Sequence, residues 1–215
     1  MSEYKKYFRL ISLSILLIML FFYSCGFGFV IKHRSKRPPL SFKSRIVMSE
    51  SDAKACYYDA RKFNESLGLF LEKNILVKAV NRDEIRREYA KTHSDSPSEV
   101  FALYKTRPQT IWFPLGYEYY LVMPACSHEL AHAWQTDNCP PHQNILLKEG
   151  LASWVQAKAY SFLSRDDLAR SRMRSSVERE QRVINYLIDF ERNGGCSAVL
   201  DFCRKNSSLP KEILQ

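Results

Sequence analysis

The sequence predicts an α+β, mainly helical domain that follows an apolar N-terminal segment. Three observations predict it. Apolar residues recur at helical spacing over residues 53–71, 145–162 and the stretch after Ser164. Two short runs, residues 74–80 and Thr110 to Phe113, are β-branched, apolar or aromatic and read as strands of a small sheet. A hydrophobic content of 46% and an aromatic content of 13% over 215 residues support a packed core rather than disorder.

The first element is the N-terminal segment, residues 1–31. From Leu10 to Ile31 no residue is charged, and 22 such residues are long enough to span a bilayer as a helix. Lys5, Lys6 and Arg9 precede the run; Lys32, Arg34, Lys36 and Arg37 follow it. Three readings stay open: an uncleaved signal anchor, a cleaved export signal, or a lipoprotein modified at Cys25 after Tyr23-Ser24. The small residues Ser24, Cys25 and Gly26 resemble processing signals, which places the following domain outside the cytoplasm. The positive charge on both flanks weakens the usual rule for orientation.

Residues 32–48 are basic, contain Pro38-Pro39 and read as an exposed linker; the folded domain is expected over residues 49–215. Its first helix, residues 53–71, is capped by Ser51-Asp52, with Ala55, Tyr58, Phe63, Leu67 and Phe70 as the buried stripe. A strand over residues 74–80 and a short helix over residues 83–89 follow. His93 to Ser98 is a polar loop in which His93 is a surface residue. Thr110 to Phe113, stopped by Pro114, reads as an edge strand, because proline is not tolerated in the middle of a sheet. Pro124 suits the first turn of the next helix, and Pro140-Pro141 end it. Asn144 caps a helix over about residues 145–162. A longer helix starts after Ser164, buries Leu168, Val177, Ile184, Leu187 and Ile188, and ends at Asn193-Gly194-Gly195. A short helix, residues 198–204, closes the domain.

Residues 128–132 read His-Glu-Leu-Ala-His. On a helix the two imidazoles project from one face, one turn apart, and can share a Zn²⁺ ion. Glu129 lies one step round the helix, where a general base for water belongs. Glu149, on the following helix, is the natural third ligand, completing a His₂Glu set with a position left for water. Ser153 or Gln156 are candidates to orient an imidazole, and His142 and Tyr160 are candidate donors to a developing oxyanion.

The formal net charge of +9 is spread through the predicted helices and no nucleic-acid module is visible, so a solvated basic surface is expected and no nucleic-acid partner. The six cysteines include no C-x-x-C pair, which argues against a zinc ribbon or a thioredoxin-type centre. Export would permit disulfides, with Cys126–Cys139 as one option; Cys196–Cys203 is possible only if Cys196 precedes the last helix. Free buried thiols are the alternative.

The run His128 to Trp134, followed by Glu149-Gly150, resembles the gluzincin-type peptidase domain of the DA-one family, plant LIM-domain growth-regulating peptidases. The resemblance extends upstream through Thr106-Arg107-Pro108 and covers roughly half of the chain. It implies a zincin-like fold, with a metal helix, a small sheet whose edge strand lies beside it, and a helical C-terminal part. It also implies a zinc-dependent endopeptidase with His128, His132 and Glu149 as ligands and Glu129 as catalytic base. Position 153 is a serine, where thermolysin-like gluzincins place an acid. No LIM or ubiquitin-interacting segment is present, so regulation through ubiquitin is not expected.

The expected function is therefore a membrane-associated metalloendopeptidase acting on a protein or peptide substrate through a zinc-activated water. Its anchor would be the N-terminal segment and its catalytic domain extracytoplasmic. The alternative is a membrane-anchored binding module whose zinc is structural or vestigial.

Overall fold

The structure is a computed structural model that describes residues 45–91, 99–174 and 178–214. It is α+β and mainly helical. The element order is β1 (Ile46–Val47), α1 (Glu50–Ser66), β2 (Leu76–Val80), α2 (Arg82–Ala90), β3 (Leu103–Thr106), β4 (Gln109–Pro114), β5 (Tyr117–Glu118), α3 (Tyr119–Asn138), α4 (Ile145–Phe162), α5 (Asp166–Arg172), α6 (Glu178–Lys205) and α7 (Lys211–Leu214). Among the described residues no helix is long and apolar enough to cross a membrane. The apolar run 10–31, the basic stretch to residue 44, the His93 loop and Val177 lie outside the described residues.

Ile46 and Val47, expected in the linker, pair antiparallel with Glu118 and Tyr117. The α1 cap is Ser49 rather than Ser51-Asp52: its hydroxyl accepts from the Asp52 N–H at 3.1 Å and donates back to Asp52 Oδ2 at 2.8 Å. Arg45 pairs with the same carboxylate and holds it at about 2, well below the usual range. The helix ends at Ser66, short of the expected Leu71. Gly68 adopts φ +97, and the Leu69 and Gly68 N–H groups close onto the carbonyls of Asn64 and Glu65, both at 3.0 Å. This pattern caps the helix and sends Phe70 into solvent, 64% exposed.

The buried stripe of α1 is also rotated from the expected one. Ala53, Cys56, Tyr57, Ala60, Phe63 and Asn64 face inward, while Tyr58 is 59% exposed. Small side chains let α1 lie close to α3. The Asn64 amide, fully buried, donates to the Ser127 carbonyl at 2.9 Å, just before the first histidine. Phe63 is buried as expected; the rest of the stripe differs because Ala53, Cys56, Ala60 and Asn64 are small or polar and carry little weight in a pattern of large apolar residues.

The three-stranded sheet has the order β2-β4-β3, with β2 parallel and β3 antiparallel to β4. β4 is therefore central, contrary to the edge position expected from Pro114. Pro114 is tolerated because pairing with β3 stops at Trp112, opposite Leu103. Ile111 and Phe113 on β4 are completely buried, as a central strand requires. Among the described strands of this sheet the edges are β2 and β3.

Helix α3 starts at Tyr119, directly after β5, so Pro124 sits inside it rather than in its first turn. Most of α3 is buried, including Cys126, Ser127, Leu130, Ala131 and Trp134. It is the central helix, and α4 packs along it. Gly150 is needed where α4 meets α6: a Cβ there would lie 2.5 Å from Val183 Cγ1. The long helix expected after Ser164 is divided in two. α5 stops at Arg172 and α6 begins at Glu178, and α6 breaks at Gly195 (φ 71, ψ −169), where the glycine pair was expected to end the helix. Ile184 and Leu187 are buried as expected, joined by Val183, Val199, Leu200 and Cys203.

The five described cysteines, Cys56, Cys126, Cys139, Cys196 and Cys203, are free. Cys126 lies inside α3 and Cys139 caps its end, so about 20 Å of helix separates them. A disulfide needs Cα atoms within about 7 Å. Cys196 and Cys203 both lie beyond the break of α6 on one helical stretch, roughly 10 Å apart.

Candidate functional site

Helix α3 presents His128 and His132 on one face with their Nε2 atoms 3.1 Å apart and their rings edge to face. Glu149, in the second turn of α4, brings Oε2 to 3.5 Å from His128 Nε2 and Oε1 to 3.4 Å from His132 Nε2. The fold thus brings together the three residues expected as ligands, and these donors could hold a metal ion. The cap that aims α4 is the expected one: the Asn144 side chain accepts from the Leu146 N–H at 2.9 Å.

Glu129 lies beside this triangle and turns toward the sheet. Its Oε2 accepts the Tyr104 N–H at 3.0 Å. That N–H belongs to the edge strand β3, and its bond to Glu129 directs it away from β4. The free edge of β3 therefore runs beside the site. Sequence reading placed this role on Thr110 to Phe113; the hairpin gives it to β3.

A cavity of about 870 Å³ opens over the triangle. His128, Glu129, His132 and Glu149 form its floor, and Tyr104, Ile145, His142, Lys148 and Arg172 are among its walls. His142 is thus placed beside the site, with φ +63. Tyr160 is buried and does not line the cavity.

The Nδ1 atoms of the two histidines meet opposite partners. His132 Nδ1 lies 3.0 Å from Gln135 Oε1, an acceptor, so it carries the proton and leaves Nε2 with a free lone pair. The buried Gln135 is fixed in turn. Its amide donates to Gln143 Oε1 at 3.3 Å and to the Lys148 carbonyl at 3.2 Å. Gln143, also buried, donates to the carbonyls of Cys203 and Asn206, both at 3.0 Å. His128 Nδ1 instead faces the Arg172 guanidinium at 3.3 Å. The orienting role expected of Ser153 or Gln156 thus falls to Gln135. Gln156 pairs with the Tyr160 phenol instead.

Gln135 was legible in principle, since it lies three residues after His132 on the same helical face. Arg172 and Gln143 carried no local signal, because only tertiary packing brings them in.

Titration follows these surroundings. Burial pushes His128 down to about 4, and the neighbouring His132 and Arg172 act in the same direction. Burial, the largest single influence, opposes the charge on His132, but Glu149, Glu129 and Gln135 together raise that group above its ordinary value. Burial alone would raise Glu149; hydrogen bonds from both histidines hold it well below the carboxylate range.

Comparison with known proteins identifies no relative. No family model matches the chain, and no curated protein or solved structure is similar to it.

Proposed function

We propose that the chain is a zinc-dependent metalloendopeptidase of zincin-like architecture. We also propose that residues 10–31 attach it to a membrane and place its catalytic domain on the extracytoplasmic side. One observation carries the catalytic reading. The donor atoms of His128, His132 and Glu149 stand 3.1–3.5 Å apart. Ligands at 2.0–2.1 Å from a tetrahedral centre stand about 3.3 Å from one another. The chemistry of the set, two imidazoles and a carboxylate, also fits zinc.

A zinc ion held there would supply Lewis acidity toward a peptide carbonyl and bring the pKa of water at the open position to about 7. Glu129 would serve as the base, taking a proton from a water at the site and passing it to the leaving amine. The Tyr104 N–H holds the Glu129 carboxylate in place through its 3.0 Å hydrogen bond. The free edge of β3 accepts an extended peptide through main-chain hydrogen bonds, which do not depend on substrate sequence. Of the two candidate oxyanion donors, His142 lines the cavity and Tyr160 does not. A structural zinc is closed by four protein ligands, so three donors facing a large cavity favour catalysis over a binding module.

The test is digestion of an unbiased peptide mixture by the purified, zinc-loaded full chain in detergent. Glu129→Gln is run alongside and cleavage sites are read by mass spectrometry. The wild type is expected to cut, and the variant to keep zinc while turnover falls about 10²- to 10⁴-fold. Equal turnover in the variant removes Glu129 as the base. No cleavage by a wild type that binds one zinc favours the binding module.

A further inference from the structure

Arg172 has a partner that it cannot keep if the site takes up zinc. Arginine has only donors, so its 3.3 Å contact with His128 Nδ1 requires a lone pair on Nδ1 and the proton on Nε2. Ligation through Nε2, the atom that faces His132 and Glu149, moves that proton to Nδ1. Two donors then confront each other, and the guanidinium must turn away from His128. It remains a wall residue of the cavity.

The cavity then contains unbalanced positive charge. Among the described residues its acidic lining side chains are Glu129 and Glu149, both engaged in the proposed metal chemistry. Its other charged lining residues are Lys148 and Arg172, and neither forms an ion pair with a described residue. Arg172 is exposed and Lys148 half-buried, so both can meet an incoming anion, and the planar guanidinium matches a carboxylate in a two-pronged geometry.

Resting on the peptidase reading, we propose that Arg172, aided by Lys148, recognises a carboxylate of the substrate, so that the preferred substrates are peptides with an acidic group near the cleaved bond. Arg172 meets the ring of His128 at Nδ1, away from the Nε2 that faces the reacting centre. A carboxylate bound there lies about one or two residues of extended chain, ~3.4 Å each, from a carbonyl beside Nε2. An Asp or Glu side chain or a C-terminal carboxylate can supply the same chemistry.

The experiment uses the zinc-loaded full chain and peptides built on the sites cut in the mixture digestion. Each peptide carries Glu or Gln one or two positions from the cleaved bond, and a free or amidated C-terminus. In parallel, fluorescence anisotropy measures binding of a labelled poly-Glu peptide and its Gln counterpart to Glu129→Gln protein, which needs no turnover. The acidic form is expected to gain about 10- to 100-fold in kcat/KM and in affinity. The Glu/Gln arm and the acid/amide arm identify which carboxylate is read. Arg172→Met should abolish the gain while zinc affinity stays equal or becomes tighter, because the contact with His128 competes with ligation. Equal treatment of acidic and amide peptides, or a preference that survives Arg172→Met, overturns the proposal. If the wild type cuts nothing, the peptidase reading fails, and the anisotropy comparison still decides whether Arg172 binds a carboxylate.

Discussion

His128 and His132 stand one turn apart on one helix, yet the protein supports them in opposite ways. Behind His132 lies a buried amide relay, Gln135 to Gln143 to the carbonyls at the end of α6, with every step within 3.3 Å. Behind His128 lies Arg172, whose residue is exposed and whose group can only donate. The difference teaches that one half of the site is preorganised by the core, whereas the other, if zinc binds as proposed, would be set only on binding. His132 already presents the tautomer a metal requires. His128 presents the wrong one until Arg172 leaves.

The largest expected effect tests the part that the two halves share. Glu149 touches both imidazoles, so Glu149→Ala should weaken zinc binding by more than about 100-fold, beyond the range of partners outside the ligand set. Chelator competition measures it, and an affinity near wild type would remove Glu149 from the site.

Next comes the contrast itself. Gln135→Leu removes the acceptor behind His132 and should lower zinc affinity about 10- to 100-fold, while Gln135→Glu, which keeps an acceptor, restores most of it. Arg172→Met should cost nothing in the same assay. If Gln135→Leu and Arg172→Met behave alike, the asymmetry described here is wrong.

The smallest effect is a matter of proton binding in the metal-free protein. A depressed folded pKa means that the fold favours neutral His128. That contribution to stability is present above the unfolded value of about 6.5 and is lost as pH falls through about 4. His132 has the opposite sign, since its folded pKa is raised. Its contribution is full below about 6.5 and is lost as pH rises through the folded value. Nitrogen-detected histidine NMR should therefore show His132 protonating at higher pH than His128. Protonation in the reverse order breaks the comparison.

The parts legible in the sequence were those with local causes. Helix α4 runs from Ile145 to Phe162 as expected, because Asn144 caps it and no breaker interrupts it. The facing of His128 and His132 followed from helical spacing, and Glu149 from the turn and cap that start the next helix. What failed depended on tertiary choices. The inward face of α1 keeps Phe63 but is otherwise set largely by small residues, so counting large apolar residues caught only part of it. The start of α3 was set by where β5 ends, so Pro124 misled. The free edge beside the site was set by how three strands order themselves, and Pro114 pointed to the wrong one. Arg172 could not have been found at all, because only the packing of α5 brings it to His128.

The most direct test of the central claim is X-ray absorption at the zinc edge of the purified full chain, with metal content measured on the same sample. One zinc per chain is expected, with two imidazole nitrogens and carboxylate or water oxygens at about 2.0–2.2 Å. An absence of zinc, or sulfur ligands at about 2.3 Å, would contradict the account.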